Sequence, residues 1–422
     1  MMSQKYTVNL FSTYLQQIIS IMIPLVLTPL MVKHLGQDVY GLWVLVGSLI
    51  GYFNLSNFGF GTTLLKELSH QEDPITVSRY ISTVFGFFGI LALILFPIAL
   101  TVAYFYPVWF DITCNKDTFS LFMIVFFIFV INLLFNTFGT VLFAKGYLVY
   151  KNFISIVGYL VIGFGVGFVL SKGIGILGVA IVYFLSSIVV AGLSYMYAKK
   201  QIRFKVSKQL WDKRILVNMT SDSLYYFLIS LSVVIVFNTD NIVISSYLTL
   251  EAVALYAIGF KLVNISQNVL FKIVDILVPD ISKLYAKKEY KDVLKLHNKM
   301  QFYTLLLASI GYGLLYFIGL DIIKLWVGEA NVLPKDVFSV MLAFAFVHSW
   351  IHTSGMFLNA IGKHKNNAYY ALGEAGLNII LSLVLIKYYG LFGVALGTVL
   401  SSLLTTAWLT PAEFFRQIKA NI

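Results

Sequence analysis

Gly175-Ile-Leu-Gly178-Val-Ala-Ile-Val-Tyr-Phe-Leu-Ser186-Ser187 carries no charge and opens an apolar run that reaches residue 198. It returns little changed as Gly390-Leu-Phe-Gly393-Val-Ala-Leu-Gly-Thr-Val-Leu-Ser401-Ser402, 215 residues later. Two other places keep nearly the same spacing. Gly146 and Gly362, each at the end of an apolar run, differ by 216, and so do Tyr40 and Tyr256. Apolar helices often look alike by chance, but three agreeing offsets point to an internal duplication.

A bilayer core needs about 20 apolar residues of helix. Runs of that length recur at 8–32, 39–64, 80–106, 118–143, 152–171, 176–198, 215–245, 252–280, 300–323, 336–360, 367–388 and 391–411. The runs are continuous rather than alternating, which excludes a β-barrel. The fold class is therefore all-α: a polytopic membrane protein of about twelve transmembrane helices. Composition agrees. Only 12% of the 422 residues are charged and 59% are hydrophobic, against about 25% charged in a soluble domain. The first run is too long for a signal-peptide core and is expected to stay as the first span. The single cysteine, Cys114, excludes an internal disulfide.

Six spans per repeat is an even number, so the two halves share one orientation. That is a parallel pseudo-two-fold repeat about the membrane normal, the plan of two-lobed transporters. The expected division is an N-terminal six-helix lobe at 1–198, an inter-lobe linker at 199–214 and a C-terminal lobe at 215–422. With the N-terminus inside, 22 of the 30 Lys and Arg residues fall in inner segments and six in outer ones. The bias places both termini in the cytoplasm. It also accounts for the net charge of +11 without nucleic acid, because basic loops meet anionic lipid headgroups.

Ionisable groups inside a span are the default functional candidates. On the eighth span, at 100° per residue, Lys261, Asn264, Asn268, Lys272 and Asp275 fall in one narrow sector. Such a stripe lines a wet cavity or sits buried with partners. The seventh span offers Asp222 and Asp240, five turns apart on one face. Folding the two spans into a hairpin brings Asp240 near Lys261, and Asp222 near Lys272 and Asp275. Two readings stay open: ion pairs that stitch the hairpin, or a cavity lining for an anionic group or a coupling ion.

The remaining polar insertions are weaker signals. Glu374, with Asn378 beneath it, is a proton or cation candidate. His348 and His352 share a face, but no carboxylate stands at ligand spacing in the sequence, so interhelical hydrogen bonding is expected rather than a metal. Asn132 and Asn136 read as interhelical contacts. Gln16, Gln17, Pro24 and Pro29 make the first span polar and bendable. No phosphate loop, zinc-protease helix or nucleophile elbow is present, so no enzyme and no cofactor is expected, with H+ or Na+ as the candidate coupling ion.

The stretch His34-Leu-Gly-Gln-Asp38-Val-Tyr40-Gly-Leu-Trp43, with Asn57-Phe-Gly-Phe-Gly61 and Lys66-Glu67-Leu68, resembles the N-terminal signature of Wzx-type flippases for polysaccharide repeat units. Asn238-Thr-Asp240-Asn-Ile-Val-Ile244, Tyr256-Ala-Ile-Gly-Phe-Lys261-Leu262 and Pro279-Asp-Ile-Ser-Lys-Leu-Tyr285 resemble further parts of that family, which belongs to the multidrug/oligosaccharidyl-lipid/polysaccharide exporter superfamily. The resemblance covers essentially the whole chain. Many relatives have an acidic residue where this chain has Asn57, which puts ion coupling there in doubt. It implies a MATE-like, two-lobed alternating-access fold in the bacterial inner membrane. The implied cargo is a polyprenyl-diphosphate-linked oligosaccharide for surface polysaccharide or lipopolysaccharide, with a polymerase and glycosyltransferases as protein partners. Lys261 and Lys272 would supply cations for the diphosphate. An ion-coupled drug/cation antiporter of the same superfamily is the alternative, and a non-transporting membrane scaffold a third.

Overall fold

The structure is a computed structural model that describes residues 2–109, 116–363 and 365–420. Cys114 and the side chain of Asp222 lie outside the described part. The described backbone is helical almost throughout: α1 Met2–Leu35, α2 Gln37–Asn54, α3 Phe60–His70, α4 Pro74–Trp109, α5 Lys116–Ala144, α6 Leu148–Ser171, α7 Gly175–Gln201, α8 Lys213–Tyr247, α9 Leu250–Asp275, α10 Val278–Ala286, α11 Tyr290–Val327, α12 Lys335–Ala360, α13 Lys365–Leu404 and α14 Thr406–Lys419.

Among the described residues, nine helical stretches are long and apolar enough to span a bilayer. One of them, Lys365–Lys419, is 55 residues long, more than twice what one crossing needs. It turns back at Gly390, whose φ of 55° and ψ of −134° are not helical. Adding the apolar α2 and α8 gives the twelve crossings. Many large apolar side chains point outward, among them Leu325, Phe317, Phe164 and Leu93. In water such a surface would aggregate, whereas in a bilayer it faces lipid tails.

The predicted repeat is visible in the backbone. Gly175 and Gly390 both have positive φ, and so do Gly146 and Gly362. Tyr40 and Tyr256 are both buried. Each glycine pair thus shares a positive φ, and the tyrosine pair its burial, at the offset read from the sequence.

Three predicted spans are interrupted, one of them, at 391–411, at Thr405 between α13 and α14. The span at 39–64 breaks after α2 into a short turn at Leu55–Asn57. Phe58 and Gly59 follow with φ of 47° and 75°, and α3 starts anew. Asn57 Oδ1 accepts from Gly59 N at 2.8 Å and holds this break. The span at 252–280 ends as a helix at Asp275, and α10 begins at Val278.

The chain forms two compact units, Met1–Val39 with Leu49–Phe227, and Tyr40–Ser48 with Leu228–Ile422. The first contains the 199–214 segment and the start of α8. There the segment is laid along α4. Ser78, Ser82 and Thr83 hydroxyls accept the backbone N–H groups of Lys205, Ser207 and Asp212 at 3.0–3.1 Å. Arg79 pairs with Asp212 at 2.8 Å, and Trp211 lies against Gly86. α4 itself starts at an Asp73 cap that accepts from Thr76 N and Thr76 Oγ1. Those bonds hold the Asp73 carboxyl below its usual range. In the second unit the two limbs of α13 close on each other through small residues. A Cβ on Gly393 would lie 2.3 Å from the Leu385 carbonyl oxygen, and one on Gly397 would lie 2.9 Å from Ser382 N. This is the small-xxx-small packing that lets membrane helices approach.

That approach makes a prediction. Backbone cannot move aside as a side-chain tip can, so Gly393→Ala should destabilise by about 1–3 kcal/mol or more. Gly376→Ala on the same helix, where the added Cβ would meet nothing within 4 Å, should be neutral. Thermal midpoints of the two purified variants check this, and equal midpoints would contradict the close hairpin.

Candidate functional site

The fold-back at Gly390 sets up the polar centre of the second unit. It brings Asn378 and Ser382, before the turn, beside Thr398, after it. Asn378 Nδ2 donates to Thr398 Oγ1 at 3.0 Å. Thr398 Oγ1 donates to Asp240 Oδ2 of α8 at 2.9 Å, and Ser382 Oγ reaches Asp240 Oδ1 at 3.4 Å. From α9, Tyr256 donates its hydroxyl to Asp240 Oδ2 at 2.7 Å. Asp240 is only 4% exposed, so three hydroxyls replace the water that a buried carboxylate loses. Asn378 Oδ1 is buried and without a hydrogen-bond partner.

Asp240 is also on the wall of a cavity of about 320 Å³, together with Asn241, Tyr256, Lys261, Asn264 and Thr398. Phe237, Phe260 and Phe344 form its apolar side, with Phe237 packed on Phe260 and Phe344 at 5.8 and 6.2 Å between centroids. The α9 stripe therefore delivers Lys261 and Asn264 into the cavity that contains Asp240. Asn241 donates to Ser48 at 2.9 Å, so the Asn238–Asn241 motif supplies both a cavity wall and an interhelical contact.

The rest of the stripe goes elsewhere. Asn268 is exposed and folds back onto Asn264, donating to its Oδ1 at 2.8 Å. Lys272 is outside the cavity lining and pairs with Asp275 at 3.3 Å, with half of its side chain exposed. Asp275 also takes His352 Nε2 at 2.9 Å. Lys272, Asp275 and His352 thus form a chain from α9 to α12, while the expected pairing with Asp222 lies outside the described side chains. His352 stacks on Phe271 at 3.8 Å, and His348 lies 3.4 Å from Gln267 Nε2. Both histidines act as interhelical contacts. Glu374 is buried and receives the hydroxyls of Ser402 and of Thr406, the latter at 2.5 Å.

The first unit contains a second cavity, of about 280 Å³, lined by Asn57, Asn132, Asn136, Thr137, Thr140 and Ser194 with Phe88 and Phe135. Asn132 and Asn136 are exposed on its wall. They do not join helices, which corrects the sequence expectation.

The chain belongs to the polysaccharide biosynthesis protein family, whose model matches residues 7–285. Among curated proteins it is 24% identical over 425 residues to a putative O-antigen export protein of Yersinia pseudotuberculosis, covering 96% of this chain and 94% of that one. Among solved structures it superposes on an inward-facing multidrug resistance MATE family transporter of the MOP superfamily with a TM-score of 0.81 at 13% identity, over 94% of each chain. On the lipid II flippase MurJ the TM-score is 0.76 at 14% identity, over 98% of this chain and 87% of the other.

Proposed function

We propose that this protein moves a polyprenyl-diphosphate-linked oligosaccharide from the cytoplasmic to the outer leaflet of the bacterial inner membrane by alternating access, for surface polysaccharide synthesis. The observation that carries the reading is Lys261: a half-buried cation in the eighth span, on a cavity wall shared with amides and aromatic rings. A diphosphate entering the membrane interior needs such a charge. Lysine binds phosphate as a mobile point charge rather than as a fixed fork, which suits a cargo that must leave again. The O-antigen export protein and the lipid II flippase are named for cargo of this kind. The process is transport without covalent chemistry, served upstream by glycosyltransferases and downstream by a polymerase.

Coupling to H+ or Na+ falls on Asp240 and Glu374, buried carboxylates each held by hydroxyls. Asn378 Oδ1, unpartnered beside Thr398 and Asp240, is a further oxygen for a small cation. The drug/cation antiporter reading draws on the MATE likeness and on Asp240. Lys261 on the same wall opposes it, because a cationic cargo would be repelled.

The test is genetic. Removing the gene should abolish surface polysaccharide and cause undecaprenyl-linked repeat units to accumulate inside the cell, without change in ethidium efflux. Lost efflux with intact surface polysaccharide would favour the antiporter. Orientation is tested separately in a Cys114→Ser background. Single cysteines at Lys205, Lys288 and Lys363 should be protected from an impermeant thiol reagent in intact cells, and those at Lys172 and Glu329 should react. Labelling at Lys205 or Lys288 would overturn cytoplasmic termini.

A further inference from the structure

We propose that the cavity of the first unit is a subsite for an uncharged, hydroxyl-rich ring: a neutral sugar of the cargo. Its lining is unusual for a membrane interior. Asn132 and Asn136 fall near the middle of the Thr118–Ala144 span, one helical turn apart, and both are exposed. A carboxamide facing hydrocarbon loses its hydrogen bonds at a cost of several kcal/mol, so these groups must face water or a polar ligand.

Two independent features point the same way. The first is the break between α2 and α3. Backbone groups freed where a helix stops need polar surroundings, and Asn57 and Gly61, on either side of Phe58 and Gly59, line this cavity. The second is Thr137. It is 2% exposed, it lines the cavity, and its Oγ1 has no hydrogen-bond partner. A buried hydroxyl left unsatisfied is unfavourable unless something arrives to satisfy it.

The chemistry of the lining selects the ligand. Among the described residues that line the cavity, none is charged, so neither phosphate nor a carboxylate finds a counter-charge there. Carboxamides present a donor and an acceptor side by side and match vicinal hydroxyls or an N-acetyl group. Phe135, partly buried on the wall, offers apolar surface for the C–H face of a pyranose. A volume of about 280 Å³ lies at the small end of ligand sites, about 300–1,000 Å³, and suits one ring rather than a whole repeat unit. The inference rests on the proposed cargo only in assigning the ring to a lipid-linked oligosaccharide.

The experiment uses the full-length protein in phospholipid nanodiscs, which carry no sugar headgroup. Saturation-transfer NMR is recorded with the methyl glycosides of a neutral hexose, of an N-acetylhexosamine and of a uronic acid. Geranyl diphosphate serves as a separate probe. The neutral glycosides should bind in preference to the uronate. Thr137→Val removes a hydroxyl that has no hydrogen-bond partner within the protein, so its thermal midpoint should hold or rise. Its glycoside affinity should fall about five-fold, the loss of one neutral hydrogen bond. Asn132→Leu with Asn136→Leu should abolish glycoside binding and leave geranyl diphosphate binding intact. Absence of glycoside binding in the unaltered protein, or binding unchanged in both variants, overturns the subsite. So does a loss in Thr137→Val that tracks a fall in thermal midpoint, because that assigns the residue to packing. If geranyl diphosphate fails to bind while the glycosides behave as stated, the diphosphate reading fails and the sugar subsite stands.

Discussion

Cells whose only copy carries Lys261→Ala are expected to show at least ten-fold less surface polysaccharide while accumulating nearly normal amounts of the protein. The first half follows from losing a charge-assisted contact to phosphate, about 1.5–3 kcal/mol, which is a factor of ten or more in binding. The second half follows from Asp240. Removing one member of a buried ion pair usually costs about 3–5 kcal/mol, because the other charge is stranded. Here Asp240 keeps the hydroxyls of Tyr256, Thr398 and Ser382 whatever occupies position 261. Adding Asp240→Asn separates the two roles. If Lys261 serves only to neutralise Asp240, the double change restores export. If Lys261 contacts cargo, export stays low. Full recovery in the double variant would falsify the cargo contact, and a collapse of protein level in Lys261→Ala alone would return the residue to a stitching role.

How much of this was legible in the sequence depends on the range of the interaction. The twelve spans and the repeat follow from local hydropathy and from offsets such as Gly175–Gly390, and the backbone repeats φ > 0 at both places. The wet stripe on α9 follows from helical periodicity, which fixes that Lys261 and Asn264 share a face. Periodicity does not fix where along the helix the cavity ends. Lys272 and Asp275 share the sector of Lys261 yet close on each other and on His352. The i, i+3 spacing of Lys272 and Asp275 was a local warning of that pairing.

The partners of Asp240 were harder to see. In the sequence Tyr256 marks the repeat and opens a family-like stretch, and Thr398 is only a letter of the repeat; neither points to Asp240. Both reach Asp240 because α13 doubles back at Gly390 and its limbs pack through Gly393 and Gly397. Those glycines, three and seven residues after the turn, were the available signal. The break at Leu55–Asn57 was hidden for the opposite reason. Most residues around it are apolar, so hydropathy runs through it, and Asn54, Ser56 and Asn57 with Gly59 and Gly61 are the hint that the helix stops. The same hydropathy averaging made Asn132 and Asn136 look like contacts between helices, since neighbours in space are not written in a single span.

Thr398→Val is expected to lower the thermal midpoint more than any other single hydroxyl removal around Asp240. Thr398 Oγ1 is a hub that accepts from Asn378 and donates to Asp240. Valine keeps the shape and removes both functions. Asn378 is completely buried, and its Oδ1 already lacks a partner, so its amide would then lose the 3.0 Å bond to Thr398. Orphaning a buried polar group costs about 1–3 kcal/mol, and the weakened support of Asp240 adds about 1 kcal/mol, for a total of about 2–4 kcal/mol. Ser382→Ala removes only the longer contact of 3.4 Å and should cost under about 1 kcal/mol. The double change Thr398→Val with Asn378→Leu removes both neutral partners together, which is far less costly than removing one, and should recover most of the loss. Midpoints of the detergent-solubilised variants should therefore rank Ser382→Ala highest, the double variant next and Thr398→Val lowest. If Thr398→Val and Ser382→Ala melt together, the chain from Asn378 through Thr398 to Asp240 is not what ties α8 to the folded-back α13.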